Sequence, residues 1–437
     1  MRGGLSCASS RLAVSMASMQ STAHPGNWQT TVRILWITQF ATMAAFSCSL
    51  PFVPLYILEL GIPDPRQAAL WAGFVAGGSG ISMAIFSPIW GSLADRFGKK
   101  LMLERALFGA TITLLLMGFA QSAVQLLIFR VLQGSLSGTT AAVSALAASI
   151  TPREELGRVL GTMQMSIFAG STVGPFIGGV LADTLGFRVA FIATSAVMVL
   201  IGLVVFVLVH EPRHAEQPPP PFRLPQLRNP LGDGVLNTVF MLAPVIFLVQ
   251  FAFMASRPIF PLFVVELAAT DPSATFAGFS PEDFVATISG ILVATTGVVG
   301  AICSPITGRF INTYRVRLLL LIAVLGVAAA NVGQAFAASF LQLWIVRVLL
   351  GAFGGIWAPT YSSTIGLSVP SERRGLAFGI ANSASSLGNA IGPIVGGYVG
   401  AMLGIRAVFV GAAGVLVLAA LWLIVRVNLS ASAEQEE

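Results

Sequence analysis

Three arginines, Arg130, Arg257 and Arg347, stand inside otherwise apolar stretches of this sequence. A guanidinium stays charged and is costly to bury in hydrocarbon, so an arginine there is normally paired or functional. It can neutralise an acid, hold an anionic ligand group or shape the field through which a proton moves. Arg130 and Arg347 each lie one or two turns from a short loop, so snorkelling to the surface is the competing reading. Groups able to change charge are scarcer. Four carboxylates, Glu59, Glu104, Asp183 and Glu266, border the apolar stretches, and none lies at the centre of the first, fourth, seventh or tenth. A carboxylate in a low-dielectric site can carry a proton near neutral pH, which makes these four candidate proton carriers. Glu104 beside Arg105 also reads as half of an ion pair near a surface, and Asp183 as the closure of a helix end.

Other chemistries lack their residues. Cys7, Cys48 and Cys303 are isolated, so neither a metal site nor a disulfide framework is implied. His24, His210 and His214 lie outside the apolar stretches, and no GxxxxGK[ST] loop occurs. The expectation is a protein without enzymatic activity, catalytic residues, metal or cofactor. Nucleic acid is an unexpected partner although the charge is +6, because only Lys99 and Lys100 are lysines and the arginines form no dense patch.

The elements that must position these residues follow from composition. Of 437 residues, 55% are apolar and 10% charged, and the mean hydropathy is +0.85. That apolar content equals about twelve segments of the roughly 20 residues a spanning helix needs. Twelve stretches can be read: 33–58, 68–92, 101–121, 124–149, 157–182, 187–209, 235–265, 284–309, 316–338, 341–367, 375–402 and 405–426. Their apolar runs are continuous rather than alternating, which excludes an outer-membrane barrel. The predicted fold class is an all-α polytopic membrane protein. Residues 1–31 read as a disordered tail, with a signal or transit segment or a later start at Met16 or Met19 as alternatives. Residues 32–209 form one six-helix half and 235–427 the other. The Pro-rich segment 210–234, with Pro218-Pro219-Pro220-Pro221, reads as a cytoplasmic linker, and 428–437 as a cytoplasmic tail.

With both termini cytoplasmic, eighteen of the 24 basic residues fall on the cytoplasmic side and only Arg66, Arg188 and Arg406 outside. That bias orients the chain in a cell membrane. The halves are also related in sequence. A shift of 217 carries Ser87-Pro88-Ile89-Trp90-Gly91 onto Ser304-Pro305-Ile306-Thr307-Gly308, and Arg130, Gly134 and Gly138 onto Arg347, Gly351 and Gly355. A shift of 218 then carries Gly170, Gly174-Pro175 and Gly178-Gly179 onto Gly388, Gly392-Pro393 and Gly396-Gly397. Parallel repeats imply a pseudo-two-fold axis along the membrane normal, with a central site between the halves.

Between the second and third stretches stands Gly91-Ser92-Leu93-Ala94-Asp95-Arg96-Phe97-Gly98-Lys99-Lys100. This run resembles, position for position, the loop signature GxLaDrxGrk of the major facilitator superfamily. The fifth stretch carries Gly170-x-x-x-Gly174-Pro175-x-x-Gly178-Gly179, similar to the antiporter motif of that superfamily's twelve-helix drug–proton exporters, and Arg130-x-x-Gln133-Gly134 resembles their third motif. The resemblance covers about 33–427. It implies a major facilitator fold, usually monomeric, and it lends Arg130 a part in proton movement. Asp95 has Asn312 as its repeat partner, so the charge exists in one half only. Placed at the cytoplasmic end of helix 2, it can dock on the positive end of helix 11 near Gly375 and act as a conformational latch, with Gly91, Arg96, Gly98, Lys99 and Lys100 shaping the loop. The alternative is that these basic residues only fix topology. The helix 5 glycines form a small-residue face for close approach, and Pro175 permits a bend.

Helices 1 and 7 line the cavity in this superfamily, which would turn Arg257 towards it, with an anionic substrate group, Glu59 or Glu266 as its partner. Cavity candidates are Trp36, Gln39, Phe40, Met43, Met163, Gln164, Gln250, Phe251, Met254, Arg257, Trp357, Tyr361 and Asn389. Aromatic, Met and amide side chains suit amphipathic small molecules. The expected function is proton-coupled efflux of drugs or amphipathic molecules by alternating access. The alternatives are a proton-linked importer or facilitator of a polar solute, such as a sugar or organic anion, and a non-transporting receptor or lipid-handling protein.

Overall fold

Within hydrocarbon each backbone N–H and C=O must find its partner inside its own segment, so long apolar stretches fold as helices. A computed structural model of the protein describes residues 28–152, 154–209, 211, 233–270, 276, 278–281, 283–310, 316–369 and 374–436. Its helices, labelled by span, are α1 (Trp28–Ser49, continued after a 3₁₀ turn at Leu50–Phe52 by Val53–Glu59), α2 (Pro65–Phe97), α3 (Lys99–Gly118), α4 (Ala123–Leu136 and Thr139–Ile150), α5 (Leu156–Leu185) and α6 (Phe187–Leu208). The second half has α7 (Asp233–Ser256 and Phe260–Ala268), α8 (Val285–Phe310), α9 (Val316–Ala335), α10 (Phe340–Ser368), α11 (Arg374–Leu403) and α12 (Ile405–Glu436). Ten of these are long and apolar enough to cross a membrane individually, and α7, bent by 42°, makes eleven when its two parts count as one. α11 has the length, 30 residues, but Gly, Ser and Asn dilute its apolarity because protein covers much of it.

Local chemistry sets the ends and breaks. Asp64 caps α2 by accepting from the Arg66 N–H at 3.0 Å. Ser122 and Ser339, repeat partners, each accept from the N–H three residues on, at 3.3 Å. Pro51 and Pro54 in α1, and Pro258 and Pro261 in α7, remove backbone donors where both helices break. The α4 break has no counterpart in α10. Gly138 takes φ +126°, a conformation that favours glycine, whereas Gly355 at the matching position stays helical. The Ser137 carbonyl beside the break accepts from Arg105 Nη2 at 3.1 Å, and the Arg105 guanidinium lies 3.6 Å from the centre of the Trp90 ring.

Three boundaries depart from expectation. α1 begins at Trp28, inside the segment assigned to the tail, and the expected fourth span is two helices rather than one. α12 runs to Glu436, through the segment assigned to the C-terminal tail, because no Gly or Pro stops it and Ala, Glu and Gln favour helix. Residues 1–27 and 212–232 of the expected tail and linker lie outside the described residues.

α1 packs on α5 and α6 in the first half, and α7 on α11 and α12 in the second. Between the halves the principal seams are α2 with α11 and α5 with α8. One apolar core joins the first half to the loop-proximal ends of α7, α8, α10 and α12, while a second core lies wholly within the other half.

Candidate functional site

Glycine sets how closely the seams approach. An added Cβ on Gly290 of α8 would strike the Pro175 carbonyl of α5, and one on Gly179 of α5 would strike the Ala286 carbonyl. On the other seam, an added Cβ on Gly73 of α2 would lie 2.9 Å from the Gly397 Cα, and one on Gly80 would lie 3.0 Å from the Ala390 Cα of α11. Gly73, Gly179 and Gly290 lie towards the end carrying Asp64 and Glu266, and the contact of Gly80 with Ala390 lies near mid-helix. Towards the opposite, basic end, where Arg96, Lys99 and Lys100 stand, Gly91, Gly157, Gly161, Gly308 and Gly379 have no atom within 4 Å of an added Cβ. The seam glycines are therefore packed at one end and without inter-helix neighbours at the basic end, the pattern of two halves that meet at the first end and part at the second.

Asp183 reinforces the closed end. From the last turn of α5 its carboxylate accepts two backbone N–H groups of the first turn of α8, Ala286 at 3.1 Å and Thr287 at 2.6 Å. A carboxylate placed on a helix N-terminus gains both the hydrogen bonds and the helix dipole. This contact joins the two halves.

The other expected carboxylates sit at the ends of the bundle. Glu266 accepts from Arg406 Nε at 2.7 Å, and Arg406 Nη1 donates to the Ala335 and Ala337 carbonyls at 2.9 and 3.2 Å. Glu59 holds the matching place, within Coulomb range of Arg188, which donates to the Ala120 carbonyl at 3.4 Å. Glu104 pairs with Lys100 at 3.4 Å rather than with Arg105, which is turned to Trp90 and Ser137. Glu211 was not singled out in the sequence, yet its carboxylate accepts the Lys99 and Lys100 N–H groups at 3.1 and 2.9 Å and so caps α3. A lone acid just past α6, opposite two lysines, was the available signal. The Asp95 side chain, Asn312 and Gly375's surroundings, on which the expected latch depends, lie outside the described residues. Gly98 takes φ +100° at the α2–α3 junction, and Arg96 is exposed.

Of the three intramembrane arginines, Arg257 lies near each of the other two. Arg257 stands in the α7 break, where the first repeat has Leu50, and lies within Coulomb range of both Arg130 of α4 and Arg347 of α10. Arg130 donates to Gln133 Oε1 within its own helix. Arg347 is 9% exposed and lies 3.4 Å over the Phe260 ring, with its Nε lacking a hydrogen-bond partner. Arg257 remains solvent-accessible. Among the described residues the ion pairs are Lys100–Glu104, Arg158–Glu155 and Arg406–Glu266, so no carboxylate pairs with any of the three. Neither Glu59 nor Glu266 is the partner of Arg257.

The expected cavity residues divide. Trp36 and Phe40 stack in parallel at 5.7 Å, and Trp357 and Tyr361 lie 5.3 Å apart. Gln250 Nε2 donates to Asn389 Oδ1 at 2.6 Å, joining α7 to α11, and Gln164 is exposed on the parted stretch of α5. Met163 and Trp357 are buried in the cores of their halves, and Gln39 is buried with its Nε2 on Thr140 Oγ1 at 3.2 Å. Phe40 and Met43 back onto Gly170, as Phe251 and Met254 back onto Gly388 and Gly392. Gly174 and Gly178 meet α1 at Ala44 and Cys48, so most of the helix 5 glycine face serves packing within its half, and Gly179 alone turns to α8.

Comparison with known proteins places this architecture. The model of the Major Facilitator Superfamily matches residues 35–281 and 242–436. The chain is 32% identical to the multidrug resistance protein MdtG of Klebsiella pneumoniae (strain 342) over 408 residues, covering 92% of this chain and 95% of that protein. It is also 32% identical to MdtG of Escherichia coli (strain K12 / DH10B) over 398 residues, 91% of this chain and 94% of the relative. Among solved structures, a bacterial homologue of the human lysosomal transporter Spinster, reported as inward-facing and occupied, superposes with a TM-score of 0.74 at 16% identity, over 93% of this chain and 98% of that one. The nucleoside transporter NupG (D323A mutant) gives 0.70 at 14% identity, over 91% and 99%.

Proposed function

The chain belongs to the major facilitator superfamily, a secondary transporter rather than an enzyme, and from that premise we propose that it exports amphipathic small molecules across the cell membrane in exchange for protons. The observation that carries the reading is the asymmetric closure, with tight glycine seams at one end and open space at the other. A bundle of two related halves can rock about the central site, so that the closed end opens as the open end closes. With the basic end cytoplasmic, as the positive-inside count favours, the open end faces the cell interior, which suits an exporter that loads from the cytoplasm. The 32% identity to multidrug resistance proteins favours export of drug-like molecules.

Substrate would enter between the parted ends and rest against Trp36, Phe40, Gln250, Tyr361 and Asn389. Its arrival, with a proton released to the cytoplasm, biases the rocking equilibrium by differential affinity for the two states, and a proton taken up from outside after substrate has left resets it. Arg130 supplies the positive field that a migrating proton feels, and Asp183, on the seam that must part, is the carboxylate best placed to couple its proton to opening. Both termini lie in the cytoplasm, the proton gradient supplies the energy without a cofactor, and a single chain holds the complete site.

Everted vesicles carrying the full chain test this directly. Substrates from a chemically diverse panel should collapse a preset pH gradient, with a protonophore abolishing their accumulation. An Arg130→Ala variant should lose at least about tenfold of the proton-coupled rate. Unchanged pH gradients across the panel would overturn the exporter reading, and a fully active Arg130→Ala would remove Arg130 from it.

A further inference from the structure

Arg257 of one half lies within electrostatic reach of Arg130 of the other half and of Arg347, whose guanidinium rests 3.4 Å over the Phe260 ring three residues from Arg257, and none of the three has a carboxylate partner among the described residues. Of the described acids, Glu59, Glu104, Glu211 and Glu266 are committed to basic groups or helix ends at the periphery, and Asp183 to the N-terminus of α8. Like charges brought near one another in a low-dielectric setting repel, so a group of opposite sign would be stabilised among them. The height of these arginines fits such a group. The turn of α4 just beyond Arg130 packs on Ser79 and Ser82 of α2, and Arg347 is level with Thr296 of α8, so both sit at the inner margins of the closed seams. Arg130 and Arg347 therefore lie where the packed stretches of the seams end.

Two details mark these arginines as a binding surface. Arg347 Nε is nine-tenths buried and lacks a partner, while Phe260 holds the guanidinium from one side. Arg257 breaks the repeat symmetry, because Leu50 fills the equivalent position in α1. It stands on non-helical backbone, which leaves its side chain free to follow a ligand without unwinding a turn.

We propose that these arginines bind an oxyanion, a carboxylate, sulfonate or phosphate group, on the transported molecule, so that amphipathic anions are the preferred substrates. The anionic head would reach Arg257 first and be gripped by forked guanidinium hydrogen bonds, while its apolar body lies against the aromatic residues below. This rests on the transporter reading of the same cavity.

The test uses three fluorescent probes of one shape: 1-pyrenebutyrate, its neutral amide and the corresponding pyrenylbutyl-trimethylammonium. Binding is measured to the purified full chain in phosphatidylcholine nanodiscs. Wild type should bind the carboxylate at least about tenfold more tightly than the amide, and the ammonium least. Arg257→Leu, which restores the side chain of the first repeat, should bring the carboxylate and amide affinities to within about threefold, and Arg257→Lys should keep most of the preference. Matched thermal melting of the variants guards against misfolding. Equal affinities in wild type, or a preference untouched in Arg257→Leu, would overturn the proposal. So would loss of carboxylate binding in nanodiscs enriched in phosphatidylglycerol, which would make the occupant a lipid headgroup. Proton-driven movement of the ammonium probe in vesicles without anion preference would sink the anion site and leave the exporter standing. Anion binding without movement of any probe would do the reverse.

Discussion

A carboxylate at the tip of one helix and two N–H groups at the start of another are a small contact, yet Asp183 joins halves that must part if the closed end is to open. Charge-assisted hydrogen bonds of this kind contribute about 1.5–3 kcal/mol each before competition from water, and the helix dipole adds up to about 1 kcal/mol more. Asp183→Ala should therefore weaken the closed end and shift the population towards the opposite state by at least about tenfold, read as labelling of a cysteine placed at Ser289 on the closed seam. Unchanged labelling would show that the glycine seams alone hold that end shut. Glu266 poses the contrasting case. Its pair with Arg406 is about two-fifths exposed, a setting in which such pairs contribute at most about 1 kcal/mol, and solvent screening lowers that further. Glu266→Gln should leave proton-coupled transport within about twofold of wild type in the vesicle assay. The residue types at these sites were legible in the sequence, as the positions of the four carboxylates and three arginines show. Their partners were not. Glu104 was read beside Arg105, its chain neighbour, but adjacent helical residues point away from each other, and Lys100 at i−4 was the one it could reach.

At the scale of elements, packing in a membrane gains little from hydrophobic transfer, since lipid is as apolar as the helix faces, so close van der Waals approach carries more of the stability. Gly178 and Gly290 separate two uses of that approach. An added Cβ on Gly178 would collide with the Cys48 carbonyl inside the first half, and one on Gly290 with Pro175 across the halves. Gly178→Ala should thus lower the melting temperature in detergent, consistent with an overpacking cost of about 1–3 kcal/mol. Gly290→Ala should instead oppose closure of the outer end, with a smaller effect on melting and a larger one on cysteine accessibility at the seam. The sequence showed the glycine faces and their duplication. It left open which face meets its own half and which meets the other, because a small-residue stripe fits any helix that comes close.

For the whole molecule, the empty space beside Gly91, Gly157, Gly161, Gly308 and Gly379 is the counterpart of the crowded seams at the other end. If the halves rock, these glycines become the close contacts of the opposite state. Gly161→Leu should accordingly fold with a melting point near wild type in this state while blocking closure of the basic end. Spin labels at Ser92 and Ser383, on the parted stretches of α2 and α11, would report a single long distance in that variant and a substrate-dependent shorter one in wild type. A short distance in Gly161→Leu would contradict the rocking geometry.

The sequence by itself determined the helical class, the number and approximate limits of the spans, the duplication into halves and the placing of its few charges, because apolar run length is a local property that the bilayer enforces on any chain and the duplication is read by comparing the chain with itself. The tertiary structure alone decided which charges meet. Arg130, Arg257 and Arg347 are separated by 127 and 90 positions in the chain, and only the packing of α4, α7 and α10 around one cavity brings them within electrostatic reach. It likewise decided which end is shut, since the same glycines permit closure at either end and only the relative tilt of the two halves selects between them.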